Sequence, residues 1–192
     1  LRFIVLKILL LRKKNCSYCD NAVSFLRKTN HTIGVLECSK RFDKYPSNLG
    51  WKPDIIFSFK NYMILPKKIT DSTICINFHP GPPEHPGSCA ANWALYNQDK
   101  EFGVTAHFMN ALVDNGLIFR VRRFAIDPLD TLDDVLERAN VEVIMLFQEI
   151  ITDMTTTWKG QPRRGKDLDK LIQRSNPKDA RIIRATKRKK VV

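Results

Sequence analysis

Glycine is scarce in this chain, eight in 192 residues. The turn after its first apolar run holds no G-x-G-x-x-G, so the dinucleotide-binding fingerprint, which needs glycines for backbone to approach a pyrophosphate, is absent there. Histidine occurs only four times. His79, His85 and His107 lie close in sequence, but none pairs with another, or with Cys75 or Cys89, at metal-ligand spacing, so no metal is expected. Five cysteines, an odd number at irregular spacing, do not describe a disulfide framework. They read as reduced thiols, and a cytoplasmic setting is expected. No apolar run is long enough to span a bilayer. The opening "LRFIVLKILLLRKK" carries Lys7 and lacks the small-residue cleavage site of a secretory signal. No membrane association is expected, and there are no internal repeats or low-complexity segments.

One cysteine pair has a chemical reading of its own. "NCSYCDNA" places a C-x-x-C after a strand and at a helix start, where thioredoxin-like proteins carry their dithiol. The chain is about twice a redoxin's length and offers no convincing cis-proline segment to complete such a site. Cys16 therefore reads as a loop residue, and Cys19 as a small buried residue of the first helix.

What is present describes a globular protein: 43% hydrophobic and 27% charged residues, enough for one domain with a sizeable core and a small appendage. The formal charge of +12 suits an anionic partner such as a nucleotide, nucleic acid or acidic lipid, although lysines also simply solvate a surface. Much of the excess is in the tail, where Arg181, Arg184, Lys187, Arg188, Lys189 and Lys190 cluster. Residues 1–160 are expected to form the main domain and 161–192 a basic C-terminal extension.

Apolar and β-branched runs predict strands at Phe3 to Leu11, in "HTIGVLEC", in "WKPDIIFSF" and in "STICINF". "CSYCDNAVSFLRKTN" carries a helical stripe, and "NYMILPKKIT" reads as a short helix or turn broken at Pro66. Alternating strands and helices imply parallel pairing through right-handed crossovers, an α/β fold. The second half opens with a helix in "SCAANWALYNQ". "FGVTAHFMN" and "LIFRVRRFAI" follow as strands joined across the turn signal "VDNG". "DTLDDVLERANVEVIMLFQEIITDM" is a long amphipathic helix with Asp130 or Thr131 as N-cap.

The stretch "INFHPGPPEHPG", Ile76 to Gly87, lies at the carboxyl end of a strand, where open parallel sheets bind ligands. Asn77 and His79 are two apart, so they share a face, and an amide beside an imidazole can donate to oxygen where charge develops. Pro80, Pro82 and Pro83 stiffen the loop, while Gly81 and Gly87 allow close backbone approach. Asp114 follows a strand that leads to the same edge. Its carboxylate can fix a histidine tautomer or take a proton from an amine, though Asp-Asn-Gly is by itself ordinary turn chemistry.

Taken together, "INFHPGPPEHPG", "NWALYN", "FGVTAHFMN", "VDNGLI" and "RFAID" resemble the formyltransferase family that uses N10-formyltetrahydrofolate. They resemble most its sugar N-formyltransferase branch, which formylates amino sugars carried on nucleotides. The resemblance runs from about Lys13 to Arg184. Its core is Asn-x-His-Pro, then Gly-Val-Thr-x-His, then Asp-x-Gly, in that order. It implies a Rossmann-like domain, a mostly parallel sheet flanked by helices, with Asn77, His79 and Asp114 as the catalytic trio. The implied reaction is direct attack of an amine on the formyl carbon through a tetrahedral intermediate. Asn77 and a protonated His79 would steady the oxyanion, and Asp114 would orient His79 and help remove the amine's proton.

By the same resemblance, the folate co-substrate would lie against Met63, Ile64 and Leu65, against Gly81, Pro82 and Pro83, and against Asn110, Ala111, Leu112 and Val113. The acceptor would meet Glu84, His85, Pro86, Gly87 and Trp93. Purine-pathway and tRNA-modifying relatives carry Ser-Leu-Leu-Pro after the His-Pro, whereas this chain has Gly-Pro-Pro-Glu. That difference and the "NWALYN" helix favour a nucleotide-linked amino sugar, a dTDP-amino-dideoxyhexose, as acceptor. A glycinamide ribonucleotide or methionyl-tRNA acceptor is the alternative within the fold, and a silent nucleic-acid- or nucleotide-binding module the alternative outside it. Two departures stand out. His85 takes the place of an expected aromatic residue. The basic end occupies the position where sugar-branch enzymes continue into a further hairpin and C-terminal region, which often supports a homodimer, so the extension reads as a shortened form of it.

Overall fold

The computed structural model of the protein describes residues 5–41, 43–110 and 112–157. The apolar runs form one six-stranded sheet. β1 (Lys7–Lys13), β2 (Thr32–Cys38), β3 (Ile55–Phe59) and β4 (Ile74–His79) run parallel; β5 (Glu101–Phe108) and β6 (Ile118–Ala125) add an antiparallel edge. The order β2-β1-β3-β4-β5-β6 reverses direction between β1 and β3, the switch where such sheets open a crevice beyond their carboxyl ends. The helices are α1 (Ser17–Arg27), α2 (Lys67–Ser72), α3 (Ala90–Tyr96) and α4 (Leu132–Thr157). This is the expected α/β arrangement, mostly parallel and flanked by helices.

The central strands are apolar on both faces because both faces are covered. In β1, Ile8 and Leu10 join the larger core beneath α1 and α4, while Leu9 and Leu11 join a smaller one with Ile56, Leu65 and Cys75. Period-two alternation produces that split directly. Phe147 of α4 is the centre of the larger core, with its ring 5.8, 5.4 and 4.9 Å from those of Phe57, Phe59 and Phe78. These are edge-on contacts of the kind that stabilise beyond area burial alone. α4 is capped by Thr131, whose hydroxyl accepts from the Asp134 amide while the Asp134 carboxylate accepts from the Thr131 amide and hydroxyl. This reciprocal cap satisfies donors that the first turn leaves unpaired.

Two boundaries differ from the sequence reading. Pro66 does not break a helix. With φ −59° and ψ 144° it precedes the first turn of α2, and its carbonyl accepts from Ile69 and Thr70. A residue with no amide proton is suited to a helix start. The first strand begins at Lys7 rather than Phe3, which is outside the described residues, as are Ala111 and the basic extension 161–192 with its boundary. Among the described residues no helix is long and apolar enough to cross a membrane.

Candidate active site

Alternation also decides which side chains face the crevice. Ile76 and Phe78 of β4 enter the larger core, so Asn77 and His79 project from the opposite face, in line with Cys75. On β5, Phe102, Val104 and Ala106 enter the same core, which leaves Thr105 and His107 on the face of Asn77. The antiparallel register sets Asn77 opposite His107 and His79 opposite Thr105, and directly opposed side chains are close neighbours. The connection between β5 and β6 then brings Asp114 to this group. Its φ is +47°, a left-handed conformation that aspartate tolerates better than most residues.

The four side chains form one polar group. Asn77 Nδ2 donates to Asp114 Oδ1 at 3.0 Å and lies 3.1 Å from His107 Nε2. His107 Nδ1 is 3.1 Å from the Phe108 carbonyl, and its Nε2 lies 3.4 Å from Asp114 Oδ1. Asp114 Oδ2 accepts from the Gly87 amide at 3.2 Å and is 3.5 Å from His79 Nδ1. His79 Nε2 faces the His85 carbonyl at 3.3 Å. His79 is therefore held between two oxygen acceptors.

Burial pushes the His79 imidazole below its ordinary pKa; the Asp114 carboxylate and the His85 carbonyl act the other way without overcoming it. At neutral pH the ring is therefore uncharged, where the resemblance implies a protonated one. Burial alone would raise Asp114, but His107, His79 and the Gly87 amide together hold it below the usual carboxylate range. The resting site thus combines an ionised carboxylate with a neutral imidazole.

Two glycines are required here by space. A Cβ at Gly81 would fall 2.5 Å from His79 Nε2, and one at Gly116 would fall 1.3 Å from the Phe108 carbonyl oxygen. The second contact explains the glycine of Asp-x-Gly: the hairpin closes over the end of β5 with no room for a side chain.

The group lines a cleft of about 570 Å³. Met63, Ile64, Leu65, Leu112 and Val113 give it an apolar side, and Ile64, Leu112 and Val113 are 50%, 63% and 66% exposed there. Lys13, Arg41 and Lys60 also line it, against Asp114 as the one acid among the described lining residues.

A family model described as formyl transferase matches residues 47–150, more than half of the chain and the segment that carries Asn77, His79, His107 and Asp114. The chain belongs to the formyl transferase family. It is 30% identical over 137 residues, 68% of its length and 45% of the relative's, to a methionyl-tRNA formyltransferase of Sulfurovum sp. (strain NBC37-1). It is 35% identical over 159 residues, 73% of its length and 23% of the relative's, to the bifunctional polymyxin resistance protein ArnA of Wigglesworthia glossinidia brevipalpis. The chain thus spans less than half the length of these curated relatives. Its fold is similar, with a TM-score of 0.63 at 19% identity, to an N-formyltransferase from Helicobacter canadensis in complex with folinic acid and dTDP-3-aminofucose. That likeness covers 79% of this chain and 65% of the other.

In this formyl transferase, Asn77, His79 and Asp114 meet as one group, and Met63, Ile64, Leu65, Gly87, Asn110, Leu112 and Val113 line the same cleft. The other described candidates do not line that cleft, although Gly81 and the His85 carbonyl adjoin His79. Gly81 and Pro82 are buried at the start of the loop with half-buried Pro83 beside them, and the Gly81 carbonyl accepts from the Thr105 hydroxyl at 2.7 Å. Glu84 turns outward to Arg123 at 2.8 Å, and Pro86 is exposed. The His85 ring turns to Asp99, at 2.6 Å. Trp93 is 56% exposed and packs edge-on against Tyr96. Helical spacing is the reason: Ala90, Ala91 and Ala94 form the buried face of α3, which leaves Trp93 and Tyr96 on the outer one.

His107 is the site residue that the sequence reading weighed as a metal ligand and met as the histidine of Gly-Val-Thr-x-His, without giving it a place in the site. Its signal was present, since Thr105 and His107 are polar at alternate positions of an otherwise buried strand. The cations Lys13 and Lys60, at the ends of β1 and β3, were also passed over. Cys19, the second cysteine of the C-x-x-C, is fully buried. Burial and the neighbouring Cys16 push its thiol up to about 12, so it supplies no thiolate near neutral pH.

Proposed function

We propose that this chain carries the catalytic part of an N10-formyltetrahydrofolate-dependent N-formyltransferase whose acceptor is the amine of a nucleotide-linked amino sugar. The observation that carries the reading is the convergence of Asn77, His79 and Asp114 on one cleft at the carboxyl end of β4. The cleft fits the co-substrate. Ile64, Leu112 and Val113 expose apolar surface inside it, as a flat heterocycle requires, and Met63, Leu65 and Asn110 complete that wall. When bound, the co-substrate supplies an activated formyl carbon.

The protein's own groups supply proton handling and charge stabilisation. The acceptor amine must lose a proton as it becomes an amide. Neutral His79 can take that proton, and the resulting imidazolium then has Asp114 on one side and the His85 carbonyl on the other. Both acceptors are in place before the charge appears, the condition for electrostatic preorganisation. Asn77 steadies the oxyanion only by releasing the amide proton now given to Asp114.

Lys13, Arg41 and Lys60 suit the diphosphate of a nucleotide-linked acceptor, and the Gly-Pro-Pro-Glu loop supports the sugar branch. A second reading, transfer to an aminoacyl-tRNA, is favoured by the methionyl-tRNA formyltransferases among the relatives and by the charge of +12. One experiment separates the two: incubation with N10-formyltetrahydrofolate and, in parallel, a panel of nucleotide-amino sugars and methionyl-tRNA, followed by mass detection of an added formyl group. His79→Ala and Asp114→Ala are expected to lose at least about 100-fold in kcat. Modification of the tRNA alone would overturn the sugar acceptor; no product, or full activity in Asn77→Ala, His79→Ala and Asp114→Ala, would overturn the mechanism.

A further inference from the structure

The loop from Pro80 to Cys89 contains four prolines, which restrict its backbone but give it few amide protons for attachment to the body. Its described attachments are made largely through side chains. Thr105 holds the Gly81 carbonyl, Arg123 holds Glu84, and Asp114 holds the Gly87 amide. The shortest of them is His85 Nε2 to Asp99 Oδ2 at 2.6 Å. It ties the middle of the loop to the turn between α3 and β5. That turn is itself fixed, because the Asp99 amide donates to the Ala94 carbonyl at 2.9 Å. The His85 amide donates to the Pro82 carbonyl at 3.0 Å, so ring and backbone of the residue are held from two sides. What this presents to the site is the His85 carbonyl, 3.3 Å from His79 Nε2.

That carbonyl matters because of the chemistry of an imidazole between two acceptors. A neutral ring has one N–H, so it donates either to Asp114 from Nδ1 or to the His85 carbonyl from Nε2, and turns a lone pair towards the other oxygen. The charged ring satisfies both. The carbonyl therefore influences both the tautomer of His79 and the ease with which it accepts a proton. The other polar groups around His79 are the Asp114 carboxylate, the His107 ring, which also contacts Asp114, and the Thr105 hydroxyl opposite it in register. None of these touches His85, so the link through Asp99 is a separate control.

We propose that His85 is a positioning residue for His79: anchored through its ring to Asp99, it holds its backbone carbonyl against His79 Nε2 and so fixes the orientation and tautomer of the imidazole that faces Asp114. The role in catalysis rests on the formyltransferase reading above; the effect on His79 does not. In the full chain, His85→Ala, His85→Gln and Asp99→Asn are compared with wild type by the ring ¹⁵N and ¹H shifts of His79, assigned with His79→Gln, and by their pH titration.

His85→Ala is expected to move the His79 ring nitrogens from one dominant tautomer towards a mixture and to displace the titration midpoint. His85→Gln, whose amide can still donate to Asp99, is expected to restore most of both. In the formylation assay His85→Ala should lower kcat by roughly 10- to 100-fold with little change in KM, as expected for misplacement of a reacting group. Unchanged His79 shifts and midpoint in a folded His85→Ala would overturn the proposal. If that variant fails to fold, unchanged His79 signals in Asp99→Asn would overturn it equally. A wild-type protein that transfers no formyl group, but whose His79 signals respond to His85→Ala, would refute the functional reading and support the positioning role.

Discussion

Alanine at position 81 is the smallest change that reaches His79 without altering any group that bears chemistry. Gly81 is not in a left-handed conformation, so the backbone admits a side chain and only space resists it. The added Cβ would fall 2.5 Å from His79 Nε2 and 2.8 Å from Ala90 Cβ, whereas ordinary contact begins at 3.4 Å. The imidazole must therefore move by about 0.9 Å at that atom or the loop must lift away, since Ala90 at the start of α3 is 6% exposed and packed into the core. Overpacking of this kind costs roughly 1–3 kcal/mol of stability. Displacement of a reacting group by about 1 Å costs on the order of 100-fold in rate, so kcat should suffer far more than the fold. Gly81→Ala would be followed by kcat and KM in the formylation assay, with the His79 ring shifts as a direct report and urea unfolding as a control. Adding Ala90→Gly should relieve one of the two clashes and recover part of the loss. Wild-type kcat together with unshifted His79 signals would show that the loop yields freely and that the imidazole is not held as described.

Two further outcomes follow from the charge states. The folded-state pKa of His79 lies below its ordinary 6.5 because of burial, and His31 is shifted the same way for the same reason. The unfolded chain therefore takes up these protons first, and stability should fall as pH drops below about 6.5. His79→Gln removes one of the two, so urea unfolding between pH 7 and pH 5 should show a shallower loss than wild type; parallel curves would refute the buried, neutral ring. Asp114 is shifted below 3.8, so its contribution is present above that value and is lost only as pH falls through the lowered pKa. At the dithiol-like pair, Cys16→Ser with Cys19→Ser should leave kcat within about twofold of wild type, since neither residue lines the cleft. Iodoacetamide at pH 8 should label exposed Cys89 while sparing buried Cys19; loss of activity in the double variant would revive the redox reading.

The sequence by itself determined the strands, the long helix and the pairing of Asn77 with His79. These are local properties: alternation in β4 and β5, 3.6-residue spacing in α4, and a proline-rich turn at a strand end each follow from a few neighbouring residues. Asp114 was legible through its Asp-x-Gly motif, although the reason for the glycine, a carbonyl oxygen where a side chain would stand, was not. His107 depended on register. It enters the site because β5 runs antiparallel to β4 with Asn77 opposite it, and nothing in a single strand fixes its partner's register. Trp93, placed near the acceptor by motif, faces outward because three alanines on the same helix have stronger claims on the core. The protonation of His79 was likewise a tertiary result, since its burial is set by elements on both sides of the sheet and the charge that burial disfavours outweighs one adjacent carboxylate. His85, placed at the acceptor by the resemblance, is tied to the turn after α3 only because the fold brings Asp99, 14 residues further along the chain, within 2.6 Å of its ring.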